Sequence, residues 1–426
     1  MKKYFSSFSL LLTAALTVVS FVAQANYLFV PMDKAQKNHL KAYGITFWVL
    51  QQEAEAEWLL NYRGGSFMFK YIQKFENELI VRGISYEVIS DAQAVQIKNE
   101  ISSPEANMDI MRLEVPPKIA VYSPKSKQPW DDAVTLVLTY AEIPYDIVFD
   151  DEVLEDALHK YDWLHLHHED FTGQHGKFHR NFGTYKWYQD QTRELEEIAH
   201  KHGFKKVSQL KAAVVKRIRD YCAGGGFLFA MCSATDTYDI ALAADGVDIC
   251  DSPYDGDPYD PAAQSKLNYK NTFAFTNFHL ELDYNEYEYS DIDNQQKERM
   301  GITELNDYFK LFQFSAKWDP IPTMLTQNHQ HNIKGFMGQT TAFKKNLIKP
   351  EVVIMGDNKS VNEARYMHGT FGKGTWTFYG GHDPEDYQHF VGEEPTDLAL
   401  HPNSPGYRLI LNNILFPAAK KKKQKT

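Results

Sequence analysis

Apolar and polar positions along this chain switch between two periods, and the switches mark out its elements. "YLFVPM" (27–32) is an apolar run that reads as a strand, and "DKAQKNHLKAYGITFWVLQQ" (33–52) carries helical spacing behind an Asp cap. "AEWLLNY" (56–62) is a second strand, stopped by Arg63-Gly64-Gly65. A helix-like stretch near 69–82 and the strand-like "SYEVIS" complete a βαβ rhythm, which predicts a small α/β lobe over 26–101. The turn residues and paired prolines of "SSPEANMDIMRLEVPP" (102–117) read as a linker.

From Lys118 the rhythm restarts. "KIAVYS", a helix through "DDAVTLVLTYAEI", the strand "YDIVFD", a helix to His159 and "YDWLHLHHED" alternate as strand and helix. Apolar strands in such alternation predict a parallel sheet with helices on both faces and functional residues at the strand ends. A charged helical insertion spans about 177–223, and "GGGFLFAMCSATDTYD" (224–239) supplies the next strand and a following helix. Residues 251–300, rich in Asp, Tyr, Asn and Pro, form a long excursion beside that face, and "FGKGTWTFYGGHDPED" (371–386) reads as a hairpin turn and strand. The second domain is placed at 118–418, before a basic tail at 419–426.

The first 25 residues concern location. Lys2 and Lys3 precede an uncharged run from Leu10 to Val22 and the small-x-small triplet Ala23-Gln24-Ala25, the pattern of a cleaved export signal; an uncleaved anchor is the alternative. The expected destination is the periplasm or the outside of the cell, with no later membrane span. Hydrophobic residues make up 43% of the chain, enough for a sizeable core. A net charge of −11 argues against a nucleic-acid partner and leaves a small-molecule substrate or ligand. The cysteines number three, so at least one thiol is unpaired within the chain; Cys222 and Cys250 are the pair that would leave Cys232 free.

Cys232 falls between a strand and a helix, where backbone N–H groups favour a thiolate and can stabilise an oxyanion. It reads either as a nucleophile or as a small buried hydrophobe closing the sheet. In "YGGHDPED", His382 follows an apolar strand after Gly381, with Asp383 and Glu385 near enough in sequence to orient its ring. The other reading is a turn-capping histidine with solvated acids. "HLHHEDFTGQHGKFH" concentrates His165, His167, His168, Glu169, Asp170, His175 and His179. Strand alternation sets His165 and His167 on one face and His168 with Asp170 on the other, so one site holding all of them is not expected. His168, Asp170 and His175 are conceivable zinc ligands, but no HExxH or CxxC spacing supports them, and a polar pocket wall is preferred. His167, His168, Asp170, Ser233 and Gly381 are the candidate substrate contacts. No metal or cofactor is assigned, and neither a Walker loop nor GxGxxG is present.

The strand–Cys–helix of "FLFAMCSAT", with "GKGTWTFYGGHDPED" far downstream, resembles the class I glutamine amidotransferase-like superfamily. Its C-terminal end is also similar to trehalose-utilisation proteins. Over nearly the whole mature length, "PMDKAQKNHLKAYG", "WLLNYRGGSF", "KQPWDDAVTLVLTYAEIPYD", "LHLHHEDFTGQ" and "FLFAMCSATDTYDIALAA" resemble an exported Bacteroidota family commonly labelled asparagine synthetase B. The resemblance implies a flavodoxin-like α/β fold with a Cys–His–Glu triad, carried here by Cys232, His382 and Glu385 or Asp383. The label's ATP chemistry is not implied, because no SGGxDS loop is present. The chain departs from the superfamily's Gly-x-Cys-x-Gly and His-Pro-Glu, having Ala230-Met231-Cys232-Ser233-Ala234 and His382-Asp383-Pro384-Glu385. Three readings are open: a cysteine-dependent hydrolase of an amide or related acyl bond, a non-catalytic carbohydrate or small-ligand binding protein, and a metal-assisted hydrolase centred on His168, Asp170 and His382.

Overall fold

The structure is a computed structural model that describes residues 26–294 and 299–419. The export signal read at 1–25 and the tail residues 420–426 lie outside the described residues. No helix among the described residues is long and apolar enough to cross a membrane.

The chain builds two sheets. The smaller has five strands, β1 (Tyr27–Val30), β2 (Ala56–Leu60), β3 (Ser66–Lys70), β4 (Glu87–Ile89) and β5 (Asp109–Leu113), in the order β4-β1-β3-β2-β5. Every pairing in it is antiparallel, in place of the βαβ rhythm read from the pattern. The tight turn at Asn61 to Gly65 joins β2 and β3 as a hairpin, and a parallel pair would need a crossover of roughly a dozen residues. The stretch read as a linker contains β5, which pairs with β2 and buries Met111 and Leu113.

The first helix, α1 (His39–Gln51), starts at an Asn38 cap and not at Asp33. Asp33 instead accepts from Ala35 N–H and pairs with Arg63. His39 is buried and stacks on His329 with ring centres 4.0 Å apart.

The larger sheet has ten strands: β6 (Ile119–Tyr122), β7 (Asp146–Val148), β8 (Trp163–Leu166), β9 (Phe227–Met231), β10 (Tyr308–Leu311), β11 (Asn332–Lys334), β12 (Phe343–Lys344), β13 (Val353–Asn358), β14 (Glu363–Phe371) and β15 (Gly374–Tyr379). Its order is β11-β10-β13-β14-β15-β9-β8-β6-β7, with β12 beside β14. From β15 to β7 every neighbour is parallel. The rest of the sheet is antiparallel, which corrects the expectation of a parallel sheet throughout. Only Gly372 and Lys373 separate β14 from β15, and Gly372 takes φ +61 to make that turn.

Strand alternation feeds two apolar layers. Ala120, Tyr122, Leu164, Leu166, Leu228 and Ala230 face one core. That layer is closed by α4 (Val207–Gly224), which packs on α3 (Lys186–Lys201), and by α5 (Ala234–Ala243). Ile119, Val121, Phe229 and Met231 face the opposite core, which includes α1, α2 (Ala133–Tyr140) and the last helix, α6 (Pro405–Leu415). Because α6 packs on both α1 and α2, this core runs continuously into the small sheet. The excursion after 251 has little regular structure and is held by Asp239, which accepts from the N–H groups of Phe273, Ala274 and Phe275 at 2.7–2.9 Å. All three cysteines are free and buried, so the Cys222–Cys250 pair does not form.

Candidate functional site

Four adjacent parallel strands, β6, β8, β9 and β15, end on the same edge of the sheet, and each releases a chemically useful segment there. β6 leads to Trp130, Asp131 and Asp132; β8 to His167 and His168; β9 directly to Cys232; β15 to Gly381 and His382. Loops at the carboxyl ends of parallel strands are where open α/β sheets bind ligands.

Cys232 sits at φ +52, in the left-handed region that non-glycine residues avoid. This conformation turns β9 straight into α5, and the side chain lines a cavity of about 330 Å³. The loop from Met337 to Thr341 covers the turn. A Cβ on Gly338 would stand 3.0 Å from Cys232 Sγ and 2.9 Å from the His382 nitrogen, so only glycine permits the approach. Gly381, at φ +99, donates to Thr340 O, and His382 N–H donates to Met337 O, both at 2.9 Å. The loop thus fixes the backbone on either side of the imidazole.

His382 Nε2 lies 3.4 Å from Asp131 Oδ1, and the ring lines the same cavity as the Cys232 thiol. Burial opposes a charge on this histidine, but the Asp131 and Cys232 interactions outweigh it and hold the ring up at about 10. Asp131 also meets His389 Nε2 at 3.3 Å, and the two histidine rings stack at 4.6 Å. His389 Nδ1 is in turn 2.9 Å from Asp386.

The acids expected to orient His382 are engaged elsewhere. Glu385 pairs with His401 Nδ1 at 3.0 Å. Asp383 accepts from Glu385 N–H and Thr396 Oγ1. The carboxylate at the ring is Asp131, from a sequence position read only as the start of a helix. Its signal was the doubled acid in "WDD": Asp132 caps α2 by accepting from Thr135 N–H, which leaves Asp131 for the site.

β8 ends at Leu166, so strand alternation does not govern the residues beyond it. His167 and His168 stand together against His382, with ring centres 4.6 Å and 5.4 Å from it. Burial pushes His167 down to about 4 and His168 well below its ordinary value. His165 lies deeper, 3.2 Å from Asp132. Asp170 does not join the group; it accepts from Thr172 N–H, Thr172 Oγ1 and Gly176 N–H and shapes its own loop. Ser233 is fully buried at the start of α5, with no hydrogen-bond partner for its hydroxyl among the described residues.

The cavity at Cys232 is lined by Trp130, Phe178, Phe182, Tyr287, Phe390 and Val391, with His168, Gln339, His382 and His389 among its polar groups. No lysine, arginine, aspartate or glutamate lines it among the described residues. The Tyr-rich excursion read at 251–300 supplies Tyr287 to this wall; its other rings come from separate segments of the chain, which sequence reading did not bring together.

No family model matches the chain, and no curated protein matches it. Among solved structures it is similar to a cytoplasmic protein from Salmonella typhimurium, with a TM-score of 0.34 and 12% identity over 71% of this chain and 100% of that one. A second cytoplasmic protein, from Salmonella typhimurium LT2, gives 0.35 and 14% over the same shares. Gan42B, a GH42 β-galactosidase from G. stearothermophilus, gives 0.26 and 10% over 63% of this chain and 28% of its own. All three likenesses are distant.

Proposed function

We propose that this protein is a cysteine-dependent hydrolase of an amide or related acyl bond, with Cys232 as nucleophile, His382 as base and Asp131 as the carboxylate that positions His382. The observation that carries this reading is a cysteine held at φ +52 between strand and helix, lining one cavity with a histidine whose Nε2 is 3.4 Å from the Asp131 carboxylate. With its proton affinity raised, His382 already holds the thiol proton when the Cys232 sulfur bonds to the carbonyl carbon. The same proton passes to the leaving nitrogen or oxygen as its bond to carbon breaks, which leaves a thioester. Water, deprotonated by His382, then releases the acid and restores the thiol. The N–H of Ser233, the residue after the nucleophile, begins α5 and is the first candidate donor to the oxyanion.

Counted in chain order, β7-β6-β8-β9-β15 run 2-1-3-4-5, the order of flavodoxin-like sheets, which supports that fold for the parallel half. It is the fold implied by the resemblance to class I amidotransferase-like proteins. The cavity's lining departs from what free glutamine needs, since among the described residues no lysine, arginine, aspartate or glutamate lines it to meet an amino-acid ammonium or carboxylate. We therefore infer an uncharged acyl group, with a ring or apolar surface to lie on Trp130, Phe178 and Tyr287. The same rings suit the face of a sugar, and a binding role without turnover rests on that observation. The pattern at residues 1–25 supports action outside the cytoplasm.

The test is the iodoacetamide labelling rate of each cysteine in the mature protein. Cys222 and Cys250 are internal controls: burial pushes the first thiol up to about 12 and the second well above its ordinary value. Cys232 is expected to label at least about tenfold faster than either, and to lose that advantage in His382→Gln. Equal, slow labelling of all three would discard the thiol mechanism in favour of binding.

A further inference from the structure

His167, His168 and His382 show a second property that thiol chemistry does not use. One ring nitrogen from each lies within 4.8 Å of the other two. Three imidazoles on one tetrahedral ion, with bonds of about 2.0–2.1 Å, place their ring centres about 5 Å apart. The three separations here are 4.6, 4.6 and 5.4 Å. A bound ion would draw the nitrogens to roughly 3.4 Å from one another.

Two of the rings also carry nitrogens with no other partner. His167 is 1% exposed, and its Nε2 has no hydrogen-bond partner among the described residues. His168 Nδ1 is likewise buried and unpartnered. Unsatisfied polar atoms inside a protein are costly and ask for a ligand. Behind the rings stand carboxylates: Asp132 Oδ2 is 3.1 Å from His167 Nδ1, and Asp131 Oδ1 is 3.4 Å from His382 Nε2. A carboxylate on one ring nitrogen, with the other left for an ion, is the arrangement that fixes the tautomer and orientation of a metal-ligating histidine. His168 and His382 line the cavity, so the fourth position would face its interior.

We propose that His167, His168 and His382 form a binding site for one divalent transition-metal ion of the zinc type. The inference does not rest on the thiol reading. The two share His382, so they describe exclusive states of one pocket: an ion on that ring removes the base from Cys232 and holds the thiol idle.

The experiment uses the full mature chain, stripped with a chelator and dialysed against Zn²⁺ or Co²⁺. The expected result is one ion per chain, visible Co²⁺ bands of a four-coordinate site, and slower iodoacetamide labelling of Cys232 when Zn²⁺ is bound. His168→Gln should weaken binding at least about tenfold, and Asp132→Asn, which keeps the helix cap, by about tenfold. Cys232→Ser should leave the stoichiometry intact. Circular dichroism checks that each variant is folded, and His167→Gln serves if His168→Gln is not. Less than about a tenth of an ion per chain, or binding that survives His168→Gln but disappears in Cys232→Ser, would overturn the site. Cys232 that proves unreactive in the metal-free protein would sink the hydrolase reading and leave the metal result standing.

Discussion

Asp131 and His382 are 251 residues apart in sequence and 3.4 Å apart at Oδ1 and Nε2. The pair joins the loop after β6 to the loop after β15, with β8 and β9 between them. It places a carboxylate at the ring that shares a cavity with Cys232.

Asp131→Asn removes the charge and keeps the shape. The Cys232 labelling rate, and any hydrolysis it supports, should fall by about 100-fold or more, with little change in Tm, because the substitution misdirects the ring without opening a cavity. Glu385→Gln should change the rate less than about twofold, since Glu385 serves His401. A larger loss from Glu385→Gln than from Asp131→Asn would assign the triad the other way.

Gly338→Ala tests how tightly the loop closes on the thiol. The added methyl meets His382 N and Cys232 Sγ at about 3 Å, and one of them must move. We expect a loss of about 1–3 kcal/mol in urea unfolding and slower labelling of Cys232. Gly203→Ala is the matched control, because nothing lies within 4 Å of the added carbon, although its φ of +80 adds some strain.

Beneath that loop, Arg365 donates to Phe336 O and Thr341 O and pairs with Glu363 and Asp307, and Arg299 bonds the same two acids. All four side chains are buried, two of each charge. Asp307→Asn leaves an uncompensated cation and should cost about 3–5 kcal/mol. A fall in Tm together with slower Cys232 labelling would confirm that this network carries the Gly338 loop; unchanged stability would refute it.

Two histidines away from the site set the acid limit. His329 Nδ1 accepts from Arg408 Nη1, which only donates, so this ring is neutral; burial, with the charge of Arg408 and the neighbouring His39, pushes it down to about 3. Burial holds His368, beside Thr377 on the next strand, at about 4. In both cases the folded pKa lies below the unfolded value of about 6.5, so the unfolded chain binds more protons as pH falls. Their contribution is complete above about pH 6.5 and is lost progressively as pH drops towards 4 and below. For the fully buried His368 the loss is on the order of 3 kcal/mol. His368→Gln should flatten the slope of stability against pH between 6.5 and 4 in urea titrations.

What could be read along the chain was local. Apolar runs ending in small or polar residues mark β6, β8, β9 and β15, because a strand buried on both faces favours apolar residues and releases its polar residues at the end. Cys232 and His382 were legible for that reason, as was their common edge, since parallel strands all end on the same side. Which side chains meet at that edge is a property of the folded chain alone. Asp131, His389, Gly338 and the aromatic wall arrive from loops far apart in sequence, whose order depends on strand neighbours that no local period encodes. Glu385 was misplaced because closeness in sequence was taken for closeness in space, and His401 offered it a nearer partner. His167 and His168 were divided by an alternation that stops where β8 stops, at Leu166. Beyond the last ladder hydrogen bond the backbone is free to turn, and both rings turn toward His382.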